Sequence, residues 1–298
     1  MASTARLDAL PAREGPPGGA AGFVGLTFAL ALVVYVPLVA ASRGWVNADI
    51  PESLTILGVC SPALAALALR AREHGREGVR EFLRGLTNRH VPARWWLVTL
   101  LLPPLSFALT YAAFLALGGE FVVAARLRTF LDAGWTIVFV APITALVVVA
   151  VAFGEEAGWR GYLLPLLQVR MGALSASLLL GVVWFAWHVP LVFLPGSANA
   201  AFPLPLWGVS IVASAVAYTW LFNNTGGSVL AATLLHAGYN FWGPMVALHP
   251  SQTGSVLSAY LLTGFDVAFA LVLVLAFGSA TLGGRRTGRG TVSTPADD

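Results

Sequence analysis

The sequence is dominated by long apolar runs, such as ITALVVVAVAFG from Ile143 to Gly154. Lipid offers backbone N–H and C=O groups no partner, so a segment crossing it must be helical and needs roughly 20 predominantly apolar residues. Runs of that kind fall at 23–41, 54–71, 95–117, 134–155, 173–194, 205–222, 228–248 and 256–280. They predict an all-α fold, a polytopic α-helical membrane bundle of about eight transmembrane helices with the lipid bilayer as its solvent. Composition agrees: 57% of residues are hydrophobic and 10% charged, where soluble domains carry about a quarter charged. The fifth to seventh runs are interrupted by Pro190, Gly226 and Pro244, which a bundle tolerates when neighbours satisfy the freed backbone groups.

Every one of the 17 basic side chains is arginine, as expected of a GC-rich bacterial genome. The isoelectric point near 9.4 does not imply nucleic acid, because the arginines flank apolar spans. Arg70, Arg72, Arg76, Arg80, Arg84, Arg89 and Arg94 share one loop region. Together with the arginines of both tails they predict a bacterial inner-membrane protein with both termini cytoplasmic, and with the loops near Arg43 and 120–132 outside. Cys60 is the only cysteine, so no disulfide framework or cysteine zinc site is available. Residues 1–22 and 283–298 read as disordered tails around a bundle at 23–282. Within GREGVREFLRGLT (75–87), Val79, Phe82, Leu83 and Leu86 recur at helical spacing. They suggest either an amphipathic helix on the inner leaflet or a charged connecting helix.

Charged groups are costly in a span and by default serve a function there. In GEEAGWRG, Glu156 and Arg160 stand four residues apart and can pair on one helix face. Glu155 is turned about 100° away and can meet other helices. Gly154 and Gly158 would let one of those helices approach closely. In WFAWHVP, His188 follows Trp184, Phe185 and Trp187; in LLHAGYNFWG, His236 and Asn240 share a face. A carboxylate, two histidines and an asparagine from three helices can make a hydrolytic centre. Glu155 would take a proton from water. A histidine would orient that water or ligate a metal that activates it. His236 and Asn240 would donate to an oxyanion. Counted from the helix ends, His188 lies deeper than Glu155 and His236, a mismatch of about one to two turns.

These motifs, EExxxR at Glu155–Arg160, Phe185 shortly before His188, and HxxxN at His236–Asn240, resemble the CPBP family of intramembrane proteases, also called the CAAX protease or Abi family. The resemblance covers roughly 134–245, the expected catalytic core. It implies a helical bundle whose site lies in a cavity reached from the cytoplasmic side. It implies catalytic roles for Glu155, His188, His236 and Asn240, with Glu156 and Arg160 supporting. The substrate it implies is a peptide of a prenylated, lipidated or otherwise membrane-associated protein. Both a zinc ion (Zn2+) held by Glu155, His188 and His236 and a metal-free glutamate mechanism are compatible with it. No HExxH helix is present.

Other intramembrane proteases fit less well. Gly226-Gly227-Ser228-Val229 lacks the last glycine of a GxSG nucleophile motif, and Asp266 is a single aspartate where an aspartyl protease needs two. The rivals from other classes are a transporter using Glu155, Glu156 and His188 as a proton relay, and a non-catalytic immunity or scaffold protein.

Overall fold

The computed structural model describes residues 19–87, 89–194 and 202–283; both expected tails, apart from 19–22 and 283, lie outside the described residues. Eight helices organise it: α1 (Gly19–Ser42), α2 (Ser61–Leu86), α3 (Ala93–Ala116), α4 (Ile137–Gly158), α5 (Ala173–His188), α6 (Leu204–Asn224), α7 (Val229–Trp242) and α8 (Leu257–Phe277). Short helical turns link them. Among the described residues, seven helical stretches are long and apolar enough to cross a membrane. Their outer faces expose Val33, Val138, Leu146 and Leu275, as an integral membrane protein requires.

Several expected boundaries move. The first helix begins at Gly19, so 19–22 are helical. The fourth continues from Gly158 through a π-turn at Trp159–Leu163 to Gln168. The seventh expected span shrinks to α7, 14 residues or about 21 Å, short of a core of about 30 Å.

Contacts between helix ends fix the directions. Thr263 on α8 donates to the Leu206 carbonyl near the start of α6 (3.2 Å). Farther along both, Trp220 and Phe277 meet at 5.6 Å between ring centroids. The two helices therefore run parallel, and the chain between them must return. That return consists of α7 and residues 243–256.

One end of the bundle gathers Phe23, stacked on Tyr162 (5.0 Å), and Ala173, whose N–H donates to Ala280 O (2.8 Å). Trp95, edge-on to Trp220 (5.1 Å), and the residues from Arg70 to Arg94 belong to the same end. Both limits of the described chain lie there. The distal end gathers Arg43, whose Nε donates to the Phe193 carbonyl (2.8 Å), with residues 118–136 and 243–256.

Close approach positions the acids. A methyl group on Gly158 would overlap Pro62, and one on Gly154 would stand 3.1 Å from Cys60 Sγ. Both glycines therefore let α4 pack on the start of α2, as the sequence suggested. Helix α2 kinks at Gly75 (φ 59°). Beyond the kink, Phe82 and Leu86 turn inward over Gly161, while Leu83, expected on the apolar face, is exposed. Ser228 accepts from Ala231 N–H (3.2 Å) at the start of α7; it caps a helix, which explains why GGSV is no nucleophile motif.

Candidate active site

Glu155 and Glu156 end the regular part of α4, just before its π-turn, a distortion often found at functional sites. Glu156 and Arg160 are both wholly buried, and Arg160 Nη1 donates to Glu156 Oε1 (2.8 Å). The guanidinium lies between the rings of Trp184 (4.7 Å) and Tyr218 (4.5 Å). Cation–π attraction there offsets part of its desolvation.

The same Glu156 oxygen lies 2.9 Å from His236 Nδ1. A carboxylate pairs there with an Nδ1–H, so that hydrogen bond fixes the ring and turns Nε2 toward Glu155, whose Oε1 is 4.0 Å away. Glu156 therefore does more than neutralise Arg160: it holds a histidine from a helix 80 residues away. Glu155 accepts a hydrogen bond at Oε2 from Trp184 Nε1–H (2.8 Å). Its Oε1 remains directed at the His236 side of the site.

His188 Nδ1 lies 2.9 Å from the Trp184 carbonyl. A carbonyl can only accept, so Nδ1 carries the hydrogen and a neutral His188 keeps its lone pair at Nε2. His188 stands one turn beyond Trp184 toward the distal end. The depth mismatch read from the sequence is real: the direct partner of Glu155 on α5 is Trp184, and His188 lines the cavity above it. Phe185, the aromatic residue of the motif, instead packs on Trp207 (5.7 Å) and against Gly208.

Glu155, Trp184, Tyr218 and His236 form the buried floor of a cavity of about 340 Å³, and His188, Tyr239 and Asn240 rise along its wall. Burial falls from Glu155 and His236 to Asn240, which is exposed. Asp266, the single aspartate set aside as half of an aspartyl dyad, lines the cavity as well and accepts a hydrogen bond from Ser210. All four expected catalytic residues thus share one cavity, and the two supporting residues lie directly beneath it.

Among the described residues, no three His, Cys, Asp or Glu side chains are close enough together to hold a metal ion. Glu155, His188 and His236 line one cavity without converging as ligands. No step below is routed through a zinc ion.

A sequence model of the family described as type II CAAX prenyl endopeptidase Rce1-like matches residues 135–242, a segment that holds every residue of the site named above except Asp266. A curated relative, CAAX prenyl protease 2 of Methanococcus maripaludis, is 27% identical over 226 residues, 72% of this chain and 79% of the relative. Both findings support a place in the CPBP, or CAAX protease, family. The likeness agrees with the motif order and with the helical bundle. Trp184 and Tyr218 were not singled out as site residues from the sequence. Trp184 could have been, because it stands four residues before His188 and so shares its helix face.

Proposed function

We propose that this chain is an intramembrane endopeptidase that hydrolyses a peptide bond of a membrane-associated chain with water activated by Glu155. One observation carries the reading. A buried carboxylate has one oxygen tied by Trp184, and its other oxygen faces a cavity bearing two histidines and an asparagine.

In this mechanism the scissile carbonyl enters beside His236 and Asn240. Glu155 Oε1 takes one proton from water while the other O–H stays on the water oxygen and donates a hydrogen bond to His188 Nε2, so the water lone pair points at the carbonyl carbon. The C–O bond forms and the carbonyl π pair moves onto oxygen. Asn240 N–H and Nε2–H of a protonated His236 stabilise that oxyanion. Glu155 then passes its proton to the leaving nitrogen, the C–N bond breaks, and an acid and an amine are released. Glu156 acts through His236, and Arg160 acts through Glu156.

A bacterial inner membrane, with the arginine-rich end and both termini in the cytoplasm, completes the reading. The carrier alternative is less well supported. Beneath Glu155 the bundle is filled by buried Glu156, Trp159, Arg160, Tyr162 and Leu163.

The test is cleavage by purified protein of a peptide panel, prenylated, acylated and unlipidated but membrane-spanning, followed by mass spectrometry. Wild type should cleave at least one class, and His236→Ala and Asn240→Ala should each lose about 10²–10³-fold in kcat. Equal cleavage by all three proteins would overturn the assignment.

A further inference from the structure

Asp266 is an acid in the middle of an apolar span, α8, and it lies outside the three motifs. An ionisable side chain at such a place is costly, faces protein or water, and by default serves a function. Asp266 is partly buried and lines the wall of the cavity above Glu155. Ser210 of α6 donates to its Oδ2. Among the described residues its Oδ1 has no hydrogen-bond partner and no arginine pairs with it. One oxygen thus ties α8 to α6, and the other is left for whatever enters the cavity.

The lining around Asp266 is one-sided in charge. Among the described residues it holds two carboxylates, Glu155 and Asp266, and no arginine; the chain contains no lysine. Ser106 and Thr110 give their hydroxyl hydrogens to carbonyls of their own helix, Pro103 O and Ser106 O (2.8 Å each). What those two hydroxyls offer the cavity is therefore lone pairs. Trp207 stands one turn before Ser210 on the same face of α6 and lines the cavity too. Phe185 and His188 each meet its ring edge-on at 5.7 Å between centroids. A carboxylate beside an aromatic ring is cation-binding chemistry, whereas an anion would meet like charge at both levels.

We propose that Asp266 is a specificity-determining residue, the acceptor of a subsite that takes a basic side chain of the peptide. The ammonium or guanidinium donates to Oδ1 and lies against Trp207. Its distance from the reacting groups follows from α6. Ser210 precedes Tyr218, at the cavity floor, by a little over two turns, about 12 Å along the helix. An extended peptide rises about 3.3 Å per residue, so the basic residue stands about three to four residues from the scissile bond. The words scissile bond rest on the endopeptidase reading; the cation subsite does not.

The experiment separates the two. Fluorescent apolar peptides, identical except for Lys, norleucine or Glu at one position, are titrated into full-length Glu155→Gln protein, where binding is measured without turnover. The Lys peptide should bind about 10–100-fold more tightly than the norleucine peptide, with the Glu peptide weakest. Adding Asp266→Asn, which can still accept from Ser210, should bring the Lys-to-norleucine ratio to about one, and Asp266→Glu should retain it. The ratio is the readout, so a distortion that weakens all peptides alike does not imitate the effect. No binding of the Lys peptide, equal binding of the Lys and norleucine peptides, or a preference that survives Asp266→Asn would each overturn the inference. A starting protein without the preference overturns it even if the Asp266 variants do not fold. Wild type should cut the Lys peptide about three to four residues from the lysine; a cut beside the lysine would overturn the placement. Preferential binding of that peptide without any cut would defeat the endopeptidase reading alone.

Discussion

Replacing Glu156 by alanine should unfold the protein more readily than it alters the reacting groups. At 2.8 Å, an effective dielectric of 20 gives the Glu156–Arg160 pair an attraction of about 6 kcal/mol. Much of that offsets the desolvation of two wholly buried charges, so the pair's net contribution is smaller. Losing one partner alone is a different matter, because it strands the other charge, at a cost of about 3–5 kcal/mol. Among the described residues Arg160 Nε and Nη2 have no hydrogen-bond partner, so of these residues the rings of Trp184 and Tyr218 would remain to hold the cation. The expected fall in melting temperature in detergent is on the order of 10 °C. Glu156→Leu combined with Arg160→Met removes both charges at similar volume and should melt close to wild type. It should still fail to cleave, because His236 Nδ1 has lost its acceptor. A Glu156→Ala protein that melts with wild type, or a double variant that regains cleavage, would refute this reasoning.

Three further outcomes follow from the same geometry. Trp184→Phe keeps an aromatic face for Arg160 but leaves Glu155 Oε2 without its donor. It should cost about 1–3 kcal/mol and lower kcat with KM held, and an unchanged kcat would count against Trp184 as a positioning residue. Gly158→Ala pushes a methyl group into Pro62 and should destabilise by about 1–3 kcal/mol in a detergent melt; wild-type stability would show that α2 and α4 can separate freely. Cleavage should survive phenanthroline or EDTA, since no three ligands converge among the described residues; loss that zinc restores would overturn that expectation.

Much of the fold could be read from the apolar runs, because lipid forces each one into a helix. Their ends were less legible. Hydropathy alone stops the fourth run at Glu155, yet the chain stays helical to Gln168, because Trp159, Tyr162 and Leu163 are buried in protein. The short α7 could not be told from a full span, since its continuation through 243–248 is equally apolar in sequence.

The site divides in the same way. The Glu156–Arg160 pair is local, and helical spacing alone predicts it. Glu156 meeting His236 and Glu155 meeting Trp184 span 80 and 29 residues, distances at which spacing carries no information. Glu155 read as an acid without a partner, and three-dimensional packing gave it one.

The central claim is that Glu155 is the base of a peptide hydrolase. Its most direct test compares wild type with Glu155→Gln, which keeps size and the ability to accept from Trp184 but lacks the basic carboxylate. Both proteins are first shown to melt alike, then assayed on whichever membrane-anchored peptide wild type cleaves. The account predicts a loss of about 10²–10⁴-fold in kcat with the fold intact. A Glu155→Gln protein that still cleaves at the wild-type rate would contradict it.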